Sequence, residues 1–281
     1  MKEYKPHFSI KEIYPDSYVI TDYGVGQGKV YMYLLAGSEK ALLIDSGYGL
    51  LNLKDIVGSI TDKPVICVCT HGHLDHALGA SQFEEAYLHS GDFEVYERHT
   101  SYELITDAGL KGILMKPPKA MRNNPSYIKQ IEKMAQKHYS GLKALDEIKK
   151  IDLGGRTASL HHVPGHTPGS IAIIDETYNT IFDADASAPG AFLFLPESSP
   201  LLEYGKMLRD YLSFMEMRGI ENRYVGHSSK AVNIKHLKRL IRCVEIAIAK
   251  PNKGIKINSV LGKARLVFAG GSLIFCGRQG Y

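Results

Sequence analysis

The sequence predicts an α+β fold in which two β-sheets pack face to face between outer layers of helices. Strand-like segments are grouped near the N-terminus and again after residue 150, and segments with helical spacing lie between and after these two groups. The chain has 281 residues, of which 44% are hydrophobic, so it is long enough to bury one large core. We therefore expect a single domain over residues 1–281.

The N-terminal group is predicted to contain three strands, a helix and a fourth, buried strand. The three strands cover residues 18–21, 30–36 and 41–45, and glycines occupy the turns between them. Residues 51–60 have helical spacing, and residues 65–69 form a short apolar run that leads directly into a cluster of histidines. The cluster should therefore lie where a strand ends and a helix begins.

The second group repeats this arrangement, with a loop rich in glycine and proline after its first strand. We expect the strands of this group to form the second sheet and the helices to cover the outer faces. Strands are predicted at residues 160–163, 171–174 and 180–182, and helices at residues 201–218 and 234–249. Residues 255–276 are predicted to form strands and turns.

Residues 93–150 stand apart from both groups. Their spacing is helical, but prolines interrupt it at Pro117, Pro118 and Pro125. We interpret the segment as a helical insertion at about residues 93–150. Between residues 111 and 150 it has ten Lys or Arg residues against three acidic ones, so over an active site it would attract an anionic substrate. The alternative is an ordinary solvated helix face.

Composition and charge exclude several kinds of partner. The net charge of +4 is too small to indicate a nucleic-acid partner. The chain has no run of about 18 apolar residues and no apolar leader, so we expect no membrane span and a cytoplasmic protein. Four cysteines are too few for a disulfide scaffold and fit a reducing compartment. Cys67 and Cys69 would share one face of a strand, and we expect them to be buried as small apolar residues.

The cluster after the fourth strand has the spacing of a metal site, since residues 70–76 read T-H-G-H-L-D-H. His71 and His73 lie two residues apart and can project toward one point. Asp75 and His76 can turn toward a second point where a helix starts. Neutral imidazole and carboxylate groups are the ligands that zinc and similar divalent ions prefer. A solvated polar loop is the alternative, but H-x-H-x-D-H rarely arises by chance.

Five motifs in this order resemble those of the metallo-β-lactamase superfamily. Besides H-x-H-x-D-H, they are the D-S-G at Asp45, the P-G-H-T-P-G-S loop with His166, the strand that ends at Asp185, and the late G-H with His227. Together they cover roughly residues 41–227. The resemblance implies a four-layer αβ/βα sandwich of the metallo-β-lactamase type.

The resemblance also implies two divalent metal ions, most readily zinc, with manganese or iron as alternatives. A carboxylate between two cations offsets their repulsion. Asp75 would also act in catalysis, because it can accept a hydrogen bond from the attacking water, and Asp45 would orient a ligand. The first ion would be held by His71, His73 and His166, the second by Asp75, His76 and His227, and Asp185 would bridge them.

Two details differ from the usual motifs of this superfamily. Ala184 stands where a glycine commonly precedes the bridging aspartate, and residues 77–80 retain only one glycine, Gly79. Asp183 would share a strand face with Asp185 and is an alternative for the bridge. We prefer Asp185 because it ends the strand.

The remaining histidines are interpreted as surface or hydrogen-bonded residues rather than ligands. His161 and His162 lie close to the loop with the third histidine ligand. One of them could reach the pocket as a proton donor, and a structural role is the alternative. The histidines interpreted as isolated are His7, His89, His99, His138 and His236.

The implied site suits hydrolysis at a carbonyl or phosphoryl centre. We expect a binuclear metal-dependent hydrolase that uses a metal-bridging hydroxide to cleave a small-molecule ester, thioester or lactone, similar to hydroxyacylglutathione hydrolase. A phosphodiesterase with the same metal site is the first alternative. A metal-bound scaffold that binds a ligand without turnover is the second.

Overall fold

The computed structural model of the chain describes residues 8–23, 29–49, 52–101, 141–259 and 262–277. Of the predicted insertion at residues 93–150, residues 102–140 lie outside the described residues, together with most of the basic side chains that suggested an anionic substrate. The insertion and the single-domain organisation therefore stay predictions.

Seven strands form the first sheet, and their order in the sheet is their order in the chain. They are β1 (Phe8–Tyr14), β2 (Ser17–Asp22), β3 (Val30–Ala36), β4 (Ala41–Ile44), β5 (Val65–Val68), β6 (Glu85–Leu88) and β7 (Lys143–Ala144). The first four are antiparallel neighbours, and β4 to β7 are parallel ones. The four strands predicted in this half are confirmed.

Six strands form the second sheet. They are β8 (Lys150–Asp152), β9 (Thr157–His162), β10 (Ile171–Asp175), β11 (Thr180–Ala184), β13 (Asn222–Val225) and β14 (Val232–Asn233). Their order in the sheet is β14-β13-β11-β10-β9-β8, and β11 and β13 are parallel neighbours. The carboxyl ends of β11 and β13 therefore meet at one edge of this sheet.

The sequence predicts two sheets, but the structure also contains a third sheet of four strands. It contains β12 (Gly190–Leu193), β15 (Ile255–Ser259), β16 (Gly262–Ala269) and β17 (Ser272–Cys276), in the order β12-β17-β16-β15. The C-terminal strands and turns predicted at residues 255–276 belong to it. Its parallel pairing of β12 with β17 joins distant parts of the chain, which a local sequence pattern does not reveal.

Within the described residues the α-helices are α1 (Leu53–Gly58), α2 (Leu74–Ala77), α3 (Phe93–His99), α4 (Leu201–Met217) and α5 (Ile234–Ala249). The two long helices agree with the prediction, and α1 is shorter than the predicted helix at residues 51–60. In α5, buried Leu237, Leu240, Ile241 and Val244 recur at helical spacing, so one stripe of this helix faces the core.

Alternation along the strands explains why each large sheet is covered on both faces. In β4, Leu42 and Ile44 pack in the layer between the two sheets, whereas Leu43 packs with residues of α1. In β10, Ile173 belongs to the same central layer, and Ile174 packs with α4 and α5. The layers run helix, sheet, sheet, helix, so the predicted four-layer sandwich is confirmed.

The cysteines agree with their sequence interpretation. Cys67 and Cys69 are both fully buried in the helix-facing layer of the first sheet, and all four cysteines of the chain are free and buried. Within the described ranges, no helix has both the length and the apolar character that a membrane span requires.

Candidate metal centre

Four of the predicted ligands follow one strand of the first sheet. β5 ends at Val68, and α2 begins at Leu74 with His73 as its N-terminal cap residue. The histidine cluster therefore lies between a strand and a helix, as predicted. Because the chain turns into α2 at His73, the side chains before and after this point face different parts of the cluster.

The other three predicted ligands come from the second sheet. His166 lies on the loop between β9 and β10, which is closed by a hydrogen bond from the Val163 amide to the Ser170 carbonyl oxygen. Asp185 and His227 follow β11 and β13. Because these strands are parallel neighbours, the two residues lie side by side although β12 and α4 lie between the two strands in the chain.

His71, His73 and His166 form one compact set, which we call the three-histidine group. One ring nitrogen from each lies within 4.8 Å of the others. Nδ1 of His73 is 3.0 Å from Nε2 of His166. The three residues are between 1% and 6% exposed, so this group is buried.

Asp75, His76 and His227 form a second set, which we call the outer group. Nε2 of His227 is 3.5 Å from Oδ2 of Asp75, and these side chains are 38% and 22% exposed. Asp185 lies between the two groups, because its Oδ2 is 3.2 Å from Nε2 of His227 and 3.9 Å from Nε2 of His166. The structure thus brings all seven predicted ligands together.

The hydrogen bonds around the cluster fix which nitrogen of each ring carries the hydrogen. The backbone carbonyls and carboxylates that contact these rings can only accept, so the nitrogen beside each of them donates, and we assign the tautomers accordingly. Nε2 of His73 donates to Glu197 at 2.9 Å, and Nδ1 of His76 donates to Asp45 at 2.7 Å. Nδ1 of His166 donates to the Phe192 carbonyl at 2.9 Å, and Nδ1 of His227 donates to the Lys29 carbonyl at 3.0 Å.

Nδ1 of His71 also donates a hydrogen bond, in this case to a hydroxyl group. Its Nδ1 is 3.1 Å from Oγ1 of Thr70, and that hydroxyl donates to Asp45 at 2.8 Å. The hydroxyl oxygen therefore accepts from His71 Nδ1. In His71, His73 and His166 the other nitrogen is left as an acceptor that faces the cluster. In His76 and His227 the other nitrogen faces the carboxylates of Asp75 and Asp185.

The acceptor atoms inside the cluster fit a divalent cation. Nε2 of His71, Nε2 of His76 and Oδ1 of Asp185 are buried and have no hydrogen-bond partner among the described residues. Acceptors that converge in a buried space repel one another unless a cation or proton lies between them. Neutral imidazole nitrogens and a carboxylate oxygen are zinc-type donors, so these residues fit a metal ion.

The two groups differ in charge. Burial and the neighbouring His73 lower the pKa of His166 to about 4. Burial also disfavours the charged form of His227, but Asp185 and Asp75 outweigh it and raise the pKa of His227 to about 10. The three-histidine group is therefore neutral, whereas the outer group pairs imidazoles with carboxylates.

Asp45 supports the cluster from behind, in agreement with its predicted orienting role. Its Oδ1 accepts hydrogen bonds from the amide of Thr70 at 2.7 Å and from Oγ1 of Thr70 at 2.8 Å, and its Oδ2 accepts from His76 Nδ1. Asp45 has φ +62°, a left-handed conformation that costs roughly 1 to 3 kcal/mol in a residue other than glycine. The contacts of its carboxylate hold this strained backbone in place.

Two positions near the cluster require glycine, because neighbouring atoms lie where the Cβ of any other residue would be. A Cβ at Gly226 would lie 2.5 Å from Cε1 of His76 and 2.8 Å from Oδ1 of Asp185. A Cβ at Gly79 would collide with the carbonyl oxygen of Ser46. Gly79 is the one glycine that the sequence retains in residues 77–80, and this contact explains its position.

Asp183, the alternative for the bridge, lies away from the cluster. Its Oδ2 accepts a hydrogen bond from Nε of Arg223 at 2.9 Å, and both side chains are fully buried. The expectation that Asp183 and Asp185 share a strand face is wrong, because the pairing of β11 is irregular before Ala184, which has φ +41°. The break in alternation turns Asp185 toward the histidines.

Glu197 and Arg98 were not singled out from the sequence, and His99 was interpreted as isolated, although all three adjoin the cluster. Oε1 of Glu197 accepts from Nε2 of His73 and from Nε2 of His99, each at 2.9 Å. The His99 ring stacks on the His73 ring with centroids 4.3 Å apart, so His99 is not isolated. His99 is close to His73 only in the folded structure, so its position in the sequence does not indicate this contact.

His161 and His162 have other neighbours than the predicted ligands. The His161 ring stacks on Phe214 of α4 with centroids 4.5 Å apart. The His162 ring stacks on His89 at 4.3 Å, and its Nε2 lies 2.8 Å from the carbonyl oxygen of Pro168. These contacts favour the structural alternative for both residues.

Comparison with known proteins supports the same family as the sequence motifs. A family model described as the metallo-beta-lactamase superfamily matches residues 25–232. The chain is 26% identical to an acyl-coenzyme A thioesterase MBLAC2 of Gallus gallus over 229 residues, which cover 78% of each chain. It is 24% identical to the protein of the same name from Homo sapiens over 231 residues, again 78% of each chain.

Solved structures show the same fold at low sequence identity. A metallo beta lactamase from Hirschia baltica superimposes with a TM-score of 0.56 and 16% identity, over 85% of this chain and 98% of the other. The family match covers well over half of the chain and includes all seven predicted ligands. This protein is therefore a hydrolase that belongs to the metallo-beta-lactamase superfamily.

Proposed function

We propose that this chain is a binuclear metal-dependent hydrolase that cleaves a small-molecule thioester. The observation that carries the proposal is the set of five imidazoles, each held from outside by one ring nitrogen so that its other nitrogen faces the same cluster. The proposed ligands are His71, His73 and His166 for the first ion, and Asp75, His76 and His227 for the second, with Asp185 between the two. Zinc is the first choice for this donor set.

The residues of the outer group suit attack on a carbonyl carbon. Two divalent cations held by this site would lower the pKa of a water molecule toward neutrality and polarise the substrate carbonyl. Asp75 is partly exposed and can accept the hydrogen bond that orients this water. A carbon–oxygen bond then forms and the carbon–sulfur bond breaks, so the products are a carboxylic acid and a thiol that takes up a proton.

The choice of a thioester rests on the relatives. Two relatives that each match 78% of this chain are named acyl-coenzyme A thioesterases. Oxygen esters and lactones present the same carbonyl carbon, so slower turnover of these substrates is expected as well.

An aromatic surface beside the three-histidine group supports an apolar acyl group in the substrate. The carbonyl of Phe192, which accepts from His166, belongs to β12, and the Phe192 ring stacks on Phe275 of β17 with centroids 4.5 Å apart. Phe194 adds a third ring, 5.8 Å from Phe192. All three rings are half-buried, so part of their apolar area is open to a ligand.

The test compares matched substrates on the zinc-loaded protein. We expect kcat/KM for an acyl-coenzyme A thioester to exceed that for the matching oxygen ester and for bis(p-nitrophenyl) phosphate, and to rise with acyl chain length. Phe192→Ala keeps the backbone carbonyl and should lower kcat/KM for a long acyl chain about tenfold. Phe268→Ala, at a 52% exposed position of the same small sheet, is the control. Faster turnover of the phosphodiester would overturn the proposal.

We also propose that the protein works in a reducing compartment such as the cytoplasm. All four cysteines are buried and free, although an oxidising compartment favours disulfides. Thiol titration of the protein isolated under non-reducing conditions should find four free thiols after unfolding. A disulfide in the isolated protein would contradict this proposal.

A further inference from the structure

Helix α3 contributes no predicted ligand, yet both of its ends contact the residues around the three-histidine group. We propose that α3, together with Asp92 immediately before it, is a positioning element that sets how tightly the three-histidine group holds a metal ion. This inference rests on the metal site of the proposed function. It assigns a role to Asp92, Arg98, His99 and Glu197.

At the start of α3, one carboxylate joins the two loops that contain all three histidines. Asp92 is fully buried, and its Oδ2 accepts hydrogen bonds from the amide of Gly72 at 2.8 Å and from Oγ1 of Thr167 at 2.6 Å. Its Oδ1 accepts from the amide of Gly169 at 2.6 Å. Gly72 lies between His71 and His73, and Thr167 follows His166. Asp92 therefore fixes the distance between the two loops.

The fit around Asp92 leaves little room for adjustment. A Cβ at Gly72 would lie 2.8 Å from the carbonyl oxygen of Asp92, and a Cβ at Gly169 would lie 2.8 Å from the Asp92 side chain. Both loops therefore approach Asp92 with their backbones. Three charge-assisted hydrogen bonds at such close approach restrict the relative motion of the loops.

At the other end of α3, two side chains hold the carboxylate that contacts His73. Nη2 of Arg98 donates to Oε2 of Glu197 at 2.6 Å, and Nε2 of His99 donates to Oε1 at 2.9 Å. Glu197 is only 2% exposed on its side chain, and its Oε1 accepts from Nε2 of His73. This contact leaves Nδ1 of His73 as the acceptor, and it fixes the orientation of the ring.

The outer group is held by other parts of the fold. Nδ1 of His76 donates to Asp45, and Nδ1 of His227 donates to the carbonyl of Lys29. A disturbance of α3 should therefore weaken metal binding at the three-histidine group more than at the outer group. Loss of a hydrogen-bond partner behind a ligand typically lowers metal affinity about 10- to 100-fold.

The experiment measures zinc affinity rather than turnover. Metal-free protein is titrated with Zn²⁺ in competition with a chromophoric chelator, and Co²⁺ absorption reports the ligand geometry of the occupied positions. The variants are Asp92→Asn, Glu197→Ala and Glu197→Gln. Glu97→Gln, an exposed position on α3, and Asp175→Asn, a buried carboxylate paired with Arg156, are the controls.

We expect Asp92→Asn and Glu197→Ala to weaken the tighter zinc-binding step at least tenfold and to change the Co²⁺ spectrum. The weaker step and both controls should stay within about threefold of the unmodified protein. Glu197→Gln retains an oxygen that can accept from His73, so it should recover most of the affinity lost in Glu197→Ala.

The possible failures are distinguishable. If the unmodified protein binds no zinc, the proposed metal site fails, whatever α3 does. If zinc binds and Glu197→Ala binds it as tightly as Glu97→Gln, the role of α3 is refuted. Equal weakening of both steps would also refute it, because it would indicate a general loss of stability. Should Asp92→Asn fail to fold, the comparison of Glu197→Ala with Glu197→Gln decides.

Discussion

The three-histidine group and the outer group lie side by side but are built for different tasks. The first is buried and neutral, and each of its rings is oriented by a hydrogen bond from behind. The second contains the carboxylate of Asp75, and its His227 side chain is 38% exposed. A buried set of neutral ligands is suited to holding an ion permanently. The outer group, in which Asp75 and His227 are partly exposed, is the side on which water and substrate can enter.

Removal of one ligand from each group tests the difference between them most directly. We expect His71→Ala to abolish tight metal binding at the three-histidine group and to lower kcat/KM at least about 1,000-fold, because an oriented cation contributes several kcal/mol. His227→Ala should retain about one ion per chain. Elemental analysis and steady-state kinetics check both. Equal loss of metal in the two variants would remove the distinction between the groups.

A second test concerns the carboxylate that the two groups share. Asp185→Asn should lower activity by about two orders of magnitude with reduced metal content, while the fold survives. Asp183→Asn should instead destabilise the protein by about 3 to 5 kcal/mol, because it leaves the buried Arg223 without its ionic partner. Metal content and denaturant unfolding separate the two outcomes. The reverse pattern would make Asp183 the bridge.

The smallest expected effect concerns the backbone beside this carboxylate. Ala184 has φ +41°, a conformation that glycine adopts without a steric penalty. Ala184→Gly should therefore relieve strain and raise the free energy of unfolding by up to about 1 kcal/mol. Activity should change less than twofold, since Asp185 keeps its place. Thermal unfolding checks this, and a lower melting temperature would show that the alanine methyl group packs favourably.

Local patterns in the sequence predicted the parts of the fold that depend on neighbouring residues. The apolar run in β4 and the H-x-H-x-D-H motif both act over a few residues, so periodicity and spacing were sufficient. Strand alternation failed at Asp183, because it cannot anticipate the left-handed backbone of Ala184. A single residue out of register changes which side chain faces the site.

Contacts between distant residues were beyond a single sequence. Glu197 is 124 residues from His73 along the chain, and 98 residues from His99. Neither residue has a motif around it that indicates a shared site. Their contact depends on α3 packing on the first sheet and on β12 packing with α4 and α5, and this arrangement is a property of the whole fold. The third sheet was missed for the same reason.

The division of the ligands between two sheets has a consequence for the lifetime of the folded chain. His71 and His73 follow a strand of the first sheet, and His166 lies between strands of the second, so a shared ion would join the sheets only after they have packed. A contact that forms so late slows unfolding and leaves the rate of folding unchanged. Metal should therefore act on kinetic stability. Stopped-flow unfolding with and without chelator should show slower unfolding with zinc and similar refolding rates, whereas zinc-accelerated refolding would mean that the site forms early.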